Sequence, residues 1–206
     1  VYIIGVVGMG PAAMGVRVPA ETLRRFWTML AHLQGQFFNA SQLGLALGGA
    51  SHSTAARYLD ALVDALMVRR LEPHLANVGK RLVKSPKMYV RDSGLLHALL
   101  GLATVQDLQG HPVAGASWEG FVIAQLLALA PEGAHCGFYR TAAGAELDLV
   151  IDMGQRKVAV ERQAVSAEWL LGATEWRQLA AEIAASGTFP PGGGSPLQQE
   201  MRRFEQ

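Results

Sequence analysis

The sequence predicts an α+β fold, in which three short helices and a two-stranded hairpin precede a longer helix and a small antiparallel sheet. Apolar residues recur at helical spacing through much of the first third of the chain. From about position 135, three short apolar strands follow one another and are joined by turns. Half of the 206 residues are apolar, so the chain has enough hydrophobic surface to bury a core.

The first regular element is predicted just after an irregular opening segment, residues 1–18, which is rich in Gly and too short to span a membrane. From Pro19 the apolar residues fall on one face of a helix, and the pattern stops at Gly35. The residues on this face are Leu23, Phe26, Trp27, Leu30 and Leu33.

Two more helices are predicted from NASQLGLALGG and SHSTAARYLDALVDALMV, which are separated by a turn containing Gly-Gly. Asn39 can cap the first, and Ser51 or Ser53 can cap the second. Three short helices with a tight turn between the last two are typical of a helix-turn-helix. The stretch that follows, VRRLEPHLANVGKRLVKSPKMYVRD, predicts two strands around a basic loop. Residues 19–95 are therefore predicted to form a winged helix.

The second half of the chain is predicted to contain a helix followed by a strand meander. HPVAGASWEGFVIAQLLALAPEG predicts the helix, with Glu119 near its start and Trp118 packing it against the sheet. Its expected apolar face is Trp118, Phe121, Val122, Leu126 and Leu127. The strands are expected in HCGFYRT, AELDLVID and KVAVERQ. We assign residues 96–185 to this domain and residues 186–206 to a flexible tail.

Three segments carry a resemblance to a known family: NVGKRLVKSPKMYVRDSGLLHALLG, HPVAGASWEGFVIAQLL and FYRTAAGAELDLVID. They closely resemble the C-terminal region of a large prokaryotic group of AAA-type ATPases. In that group a P-loop domain is followed by a winged helix and by a domain of unknown function that looks like a PD-(D/E)xK nuclease. The resemblance runs from about Leu23 to Glu161 and implies a restriction-endonuclease-like α/β domain after the winged helix.

The sequence departs from this pattern in one large respect, because it contains no GxxxxGK[ST] motif. ATP binding and ATPase activity are therefore not expected of this chain, and a P-loop ATPase domain becomes a candidate partner. The first residue is Val rather than Met. This favours a truncated piece of a longer protein or a gene-model error.

A candidate metal site lies in the stretch AELDLVIDMGQRKVAVERQ. Strand alternation predicts that Glu146, Asp148, Val150 and Asp152 share one face, opposite Leu147, Leu149 and Ile151. If the next strand pairs across the MGQR turn, the carboxylates of Asp148 and Glu161 converge, and such oxygen ligands suit Mg²⁺ or Mn²⁺.

The resemblance extends this site to a catalytic set. Glu119 supplies a third carboxylate from the helix, and Gln163 stands where a PD-(D/E)xK nuclease has the Lys that stabilises charge on the attacked phosphate. The predicted catalytic residues are Glu119, Asp148, Glu161 and Gln163. The competing interpretation is an amphipathic hairpin whose acids face water and pair with Arg140 and Arg162.

Basic residues predict a second candidate site, on the winged helix, where they can neutralise DNA phosphates without reading bases. The predicted contacts are Arg57, Arg69, Arg70, Lys80, Arg81 and Lys84, with Lys87 and Arg91 also placed around the wing. The alternative is that this basic face packs against an ATPase domain or another protein.

Overall composition bounds the class of protein. A net charge of +1 argues against a protein that coats polyanions generally, and one cysteine without a Cys/His cluster argues against a zinc site. We expect a cytoplasmic protein that does not bind membranes. The expected function is a DNA-binding or interaction module with a degenerate nuclease-like domain. The alternatives are a metal-dependent DNA nuclease and a structural protein-interaction fragment.

Overall fold

The computed structural model describes residues 19–74, 84–141, 146–154 and 157–160. These residues form six helices and five strands. The helices are α1 (Ala20–His32), α2 (Ala40–Ala46), α3 (His52–Asp64), α4 (Ser93–Leu99), α5 (Val105–Gln109) and α6 (Ala114–Leu129). The strands are β1 (Val68–Leu71), β2 (Lys87–Val90), β3 (His135–Arg140), β4 (Glu146–Asp152) and β5 (Lys157–Val160). The α+β class predicted from the sequence is confirmed.

The first three helices form where the sequence predicts them. In α1 the buried side chains include Leu23, Phe26 and Leu30, because the 3.6-residue period brings them to one face. The Asn39 side chain accepts a hydrogen bond from the Gln42 amide and so caps α2. The Ser51 side chain does the same for α3.

Strands β1 and β2 form an antiparallel hairpin that faces two hydrophobic clusters. Val68 and Val90 lie opposite each other and belong to the cluster built by the first helices. Leu71 and Tyr89 belong to a second cluster that also contains Phe138 of β3. The hairpin therefore joins the helical half of the molecule to the sheet.

The chain beyond β1 adds to this connection through backbone hydrogen bonds. The Phe138 amide donates to the Glu72 carbonyl, and the His74 amide donates to the Phe138 carbonyl. The segment after β1 thus lies beside β3 and extends contact from the hairpin to the second sheet.

Strands β3, β4 and β5 form the predicted antiparallel meander in that order. The pairing of β3 with β4 shifts by one residue between Gly137 and Tyr139, so β4 has an extra residue opposite Phe138. This bulge breaks the alternation of side chains along β4.

The predicted faces of β4 are therefore only partly right, since Glu146 and Asp148 do lie on one side, at Lys87. Leu149 and Ile151 pack in the cluster with Phe138, whereas Leu147 and Val150 pack with Tyr139 in a separate one. Strict alternation would place Leu147, Leu149 and Ile151 on one face. The bulge instead moves Leu147 to the opposite face from the other two. Asp152 is likewise separated from Glu146 and Asp148.

Helix α6 packs only part of its predicted face against the sheet: Leu126 is buried, and Val122 and Leu127 are partly buried against the same cluster. Its buried residues are Ser117, Gly120, Ile123 and Leu126, while Trp118 is only half-buried and stacks on Phe121 with ring centroids 5.6 Å apart. The helix is apolar on nearly all sides, so the sequence pattern did not define which side is buried. Small residues let this side approach the hairpin closely.

No helix in the described ranges is long and apolar enough to cross a membrane. The predicted opening segment, residues 161–185 of the predicted second domain and the predicted flexible tail lie outside the described residues.

Candidate functional site

A buried lysine lies at the centre of the acidic residues that the sequence analysis singled out. The side chain of Lys87 is 5% exposed. Its Nζ lies 2.6 Å from Glu146 Oε1, 3.2 Å from Asp148 Oδ1 and 3.5 Å from Glu119 Oε1. One ammonium group thus contacts three carboxylates, and we call Lys87, Glu119, Glu146 and Asp148 the lysine–acid cluster.

Four elements meet at this cluster. Lys87 begins strand β2, where it lies opposite Leu71 of β1 and forms an isolated bridge with Phe37 on its other side. Glu119 comes from α6, and the other two acids come from β4. The bulge interrupts β4 at Asp148 and Leu149. The side chains of these two neighbouring residues therefore lie on the same side of the sheet, which is the side of Phe138.

The neighbouring carboxylates determine the charge of Lys87. Burial alone lowers the pKa of a lysine, but Glu119, Glu146 and Asp148 outweigh this effect and raise the pKa of Lys87 above its ordinary value. Lys87 is therefore protonated throughout the physiological range of pH.

Tyr89 holds Glu119 in position from the same strand as Lys87. The Tyr89 hydroxyl donates a hydrogen bond to Glu119 Oε1, and burial followed by the charge of Glu119 raises the pKa of Tyr89. Gly35, whose φ is +73°, lies beside them, and a Cβ there would stand 3.5 Å from Glu119 Oε1. A left-handed backbone at this point favours glycine.

The lysine–acid cluster lines a cavity of about 490 Å³. Arg140 lies at this cavity, with its Nη1 atom 3.0 Å from Glu146 Oε2 and its guanidinium 5.1 Å from the centre of the Phe37 ring. Three carboxylates and two cations, in contact with one another, therefore line the cavity.

The structure brings together two of the predicted catalytic residues, Glu119 and Asp148, around the same ammonium. Glu146, which the sequence analysis placed on the same strand face as Asp148, joins them. The predicted ligand Glu161 and the predicted catalytic residue Gln163 lie outside the described residues. The catalytic roles of these residues remain predictions.

Asp152 takes part in a separate group. Its Oδ2 lies 3.1 Å from Lys157 Nζ and 3.6 Å from His74 Nε2, and its Oδ1 accepts a hydrogen bond from the Gly154 amide. The interpretation that the acids merely face water fits none of these carboxylates well, although Arg140 does pair with Glu146 as that interpretation expected.

Lys87 was predicted from the sequence to lie among the basic residues of the wing and not at this site. The structure corrects this placement, because Lys87 is buried and paired with acids. The signal available in the sequence was KMYV, where a lysine stands two residues before a tyrosine in an otherwise apolar strand. Strand alternation puts both polar groups on one side.

The basic residues predicted to contact DNA fall into several environments. Arg57 and Lys84 are exposed. Arg70 pairs with Asp60, and Arg69 is half-buried, with a pKa that burial and then Arg91 lower. Lys80 and Arg81 lie outside the described residues.

The described donors do not by themselves form the Mg²⁺ or Mn²⁺ site that the nuclease resemblance implies, and the predicted ligand Glu161 lies outside the described residues. Among the described residues, no group of three or more His, Cys, Asp or Glu side chains is placed to hold a metal ion. The three carboxylates of the cluster converge on the Lys87 ammonium group. This group occupies the position between them where a metal ion would bind.

Comparison with known proteins divides the chain at nearly the point where the fold changes from helices and hairpin to α6 and the sheet. Residues 11–106 match the model of a domain of unknown function (DUF8612), and residues 114–182 match that of another (DUF4143). No solved structure matches the chain.

Two curated mycobacterial proteins are similar to the chain over 156 residues, each with 51% identity and 75% of this chain covered. They are the uncharacterized proteins Rv2008c of Mycobacterium tuberculosis and Mb2031c of Mycobacterium bovis. The chain spans 35% of the length of these relatives. Most of the chain is thus similar to part of a longer mycobacterial protein, and its two halves are similar to two successive domains of unknown function.

Proposed function

We propose that this chain is a DNA-binding or interaction module of an AAA-type ATPase relative, with a winged helix followed by a nuclease-like domain that has lost catalysis. The observation that carries the proposal is the contact of Lys87 Nζ with all three carboxylates of the lysine–acid cluster. In the nuclease that the resemblance implies, two of these carboxylates, Glu119 and Asp148, would act with Glu161 to hold the metal that polarises the phosphate and activates water.

The arrangement of elements supports the winged-helix part of the proposal. Helices α1 to α3 are followed by the antiparallel β1–β2 hairpin, and the basic segment that holds Lys80, Arg81 and Lys84 lies between those strands in sequence. Exposed Arg57 on α3 and exposed Lys84 supply positive charge on this half of the molecule. Such charges attract phosphates without selecting bases.

The helix that would enter a DNA groove supports electrostatic rather than sequence-specific binding. Asp60 and Asp64 are exposed on α3 beside Arg57, and Asp60 already pairs with Arg70. The net charge of this helix surface is therefore small, and the sequence between the two strands carries the larger positive charge.

Binding of duplex DNA tests this part directly. Fluorescence anisotropy of a labelled duplex, repeated over a series of NaCl concentrations, is expected to give a weak affinity that falls steeply with salt. Changing Lys80, Arg81 and Lys84 together to alanine should reduce the salt slope, and Lys157→Ala, on β5, serves as the control that leaves it unchanged. Binding that survives both high salt and the triple change would rule out this interface.

If the wild-type chain binds no duplex at low salt, the interaction part of the proposal remains to be tested by itself. The P-loop domain of an AAA-type ATPase is then the expected partner of the basic face. An equimolar mixture of that domain and this chain should co-elute in size-exclusion chromatography, and the triple alanine variant should not. Failure to bind both DNA and the ATPase domain would overturn the proposal.

One observation favours a second candidate, a metal-dependent DNA nuclease: Glu119, Glu146 and Asp148 converge at a cavity from two different elements. Plasmid nicking with Mg²⁺ or Mn²⁺ distinguishes the two. We expect barely detectable cutting by the wild-type chain and a rise when Gln163 is changed to Lys, because one electrostatic contact of this kind is worth roughly 10²- to 10³-fold in rate. Rapid cutting that Asp148→Asn abolishes would favour the nuclease instead.

A further inference from the structure

We infer that Lys87 is a tethered cation that takes the place of a divalent metal in the lysine–acid cluster and closes the cluster to external divalent cations. The inference deepens the proposed loss of catalysis and rests on it. It assigns that loss to Lys87 of the hairpin in addition to Gln163, so Gln163→Lys alone should raise cutting only slightly, and it makes the contact of Lys87 with the acids an autoinhibitory one within the fold.

The charges of the three acids favour an internal cation. Three carboxylates converge here, and two of them have side chains that are 15% exposed or less. Bringing such groups together without a cation is costly, because like charges repel and burial removes their hydration. The Lys87 ammonium offsets this cost from within the chain, so the folded protein needs no metal to hold the acids together.

The fold holds Lys87 in the cluster. Strand pairing fixes its backbone through Leu71 on one side, and Phe37 forms a bridge with it on the other. Its Nζ also lies 5.7 Å from the centre of the Phe138 ring. Because Lys87 is attached to the chain, its effective concentration at the three acids is high. Free divalent ions at ordinary concentrations are less concentrated there and compete poorly with it.

The contact of Lys87 with the acids connects the two halves of the chain. Lys87 comes from the hairpin, in the region similar to one domain of unknown function, whereas its acidic partners come from the region similar to the other. The contact that closes the cluster therefore also fixes β2 against α6 and β4. Opening the cluster to a metal requires this connection between the two halves to break.

The test compares cation binding by the wild-type chain and by Lys87→Met, which keeps the stem of the side chain and removes its charge. Mn²⁺ titration followed by isothermal calorimetry is expected to show no saturable site in the wild-type chain. Lys87→Met should bind Mn²⁺ at least about tenfold more tightly, since one unit charge in partly buried surroundings changes affinity by more than that. Adding Asp148→Asn to Lys87→Met should remove the gain.

Lys84→Met is the matched control, because it makes the same chemical change at an exposed position on the same segment. It should leave Mn²⁺ binding as in the wild-type chain. A gain in Lys84→Met equal to that in Lys87→Met would show that overall charge, rather than the cluster, is responsible, and would overturn the inference. So would a folded Lys87→Met that binds no Mn²⁺.

If Lys87→Met does not fold, the wild-type chain still provides a test. Tb³⁺ luminescence excited through Tyr89, whose hydroxyl contacts Glu119, reports a lanthanide held at the cluster. We expect the wild-type chain and Asp148→Asn to give the same weak signal. A strong signal that Asp148→Asn abolishes would show that the cluster accepts an external cation and would overturn the inference.

The plasmid-nicking assay separates this failure from failure of the proposed function. A wild-type chain that binds Tb³⁺ at the cluster but does not cut DNA contradicts the inference alone. A wild-type chain that cuts DNA contradicts the proposed loss of catalysis as well.

Discussion

At the scale of single residues, Gly120 shows how closely α6 approaches the rest of the site. A Cβ at this position would lie 2.6 Å from Gln34 Nε2 and 3.1 Å from Tyr89 Cδ1. Gln34 is buried, and its Oε1 accepts a hydrogen bond from the Val90 amide. Neither neighbour can move aside without losing a contact that shapes the cluster.

Gly120→Ala is therefore expected to destabilise the chain, although alanine is the better helix former. Overpacking a buried position costs about 1–3 kcal/mol, which exceeds the gain of about 1 kcal/mol in helix propensity. Urea unfolding followed by circular dichroism measures the change. Gly110→Ala is the control, since its nearest contact would be 3.7 Å away, and an equal loss in both variants would contradict the steric explanation.

His74 makes the stability of the chain depend on pH. Burial lowers the pKa of His74 below its ordinary value of 6.5; Asp152 opposes this shift, and Lys157 and His135 add to it. As the pH falls through 6.5, the unfolded chain takes up a proton at this position before the folded chain does. Folding is therefore less favourable on the acidic side, until the pKa of the folded state has been passed.

We expect the free energy of unfolding to decrease between about pH 7.5 and pH 5.5. Burial lowers the pKa of His97 in the same direction, so His74→Gln should reduce the pH dependence without removing it. Urea denaturation at several pH values measures both. A free energy that is constant or rises on acidification in the wild-type chain would contradict this prediction.

At the scale of secondary-structure elements, the junction between the hairpin and the second sheet depends on Gly137 of β3. The backbone of the segment after β1 runs so close to this residue that a Cβ would lie 2.5 Å from the Glu72 carbonyl oxygen and 2.9 Å from the His74 amide nitrogen. Both are main-chain atoms held by hydrogen bonds to Phe138. A side chain at position 137 must therefore push the two sheets apart.

Gly137→Ala should lower the free energy of unfolding by about 1–3 kcal/mol, the usual cost of overpacking. It should also raise the hydrogen-exchange rates of the Phe138 and His74 amides, because both belong to this junction. His135→Ala, at an exposed site on the same strand, should change stability by no more than about 0.5 kcal/mol. Unchanged exchange in Gly137→Ala would show that the junction tolerates the added methyl group.

At the scale of the whole molecule, the two halves share a continuous set of contacts. The hairpin contributes to both large hydrophobic clusters, and the lysine–acid cluster joins β2 to α6 and β4. The boundary between the two family matches therefore does not separate two independent cores.

The described part of the chain should accordingly unfold in one cooperative transition. Leu59→Ala, in the helical cluster, and Leu149→Ala, in the sheet cluster, should each lower the melting temperature of that same transition. Each substitution is expected to cost about 2–5 kcal/mol, because both side chains are fully buried. Differential scanning calorimetry that resolves two transitions, with each substitution shifting only one, would show that the halves are independent.

The sequence by itself determined the local elements and their order. Periodic apolar residues predicted α1, Asn39 predicted the start of α2, and either Ser51 or Ser53 predicted the start of α3, which is Ser51 in the structure. Alternating strands between turns predicted the β3–β5 meander. These features depend on residues within one or two turns of each other. The sequence also identified Glu119 and Asp148 as partners, through resemblance to a known family.

The tertiary structure alone decided the composition of the site. Lys87 lies 61 positions from Asp148 along the chain, and only the packing of the hairpin against β4 brings the ammonium to the carboxylates. The one-residue bulge then determined which side chains of β4 share a face. The close packing of α6 against the hairpin determined that the side of the helix with small residues is buried. Local patterns do not encode such contacts, because the free energy of a buried ion pair depends on how distant elements remove water from it.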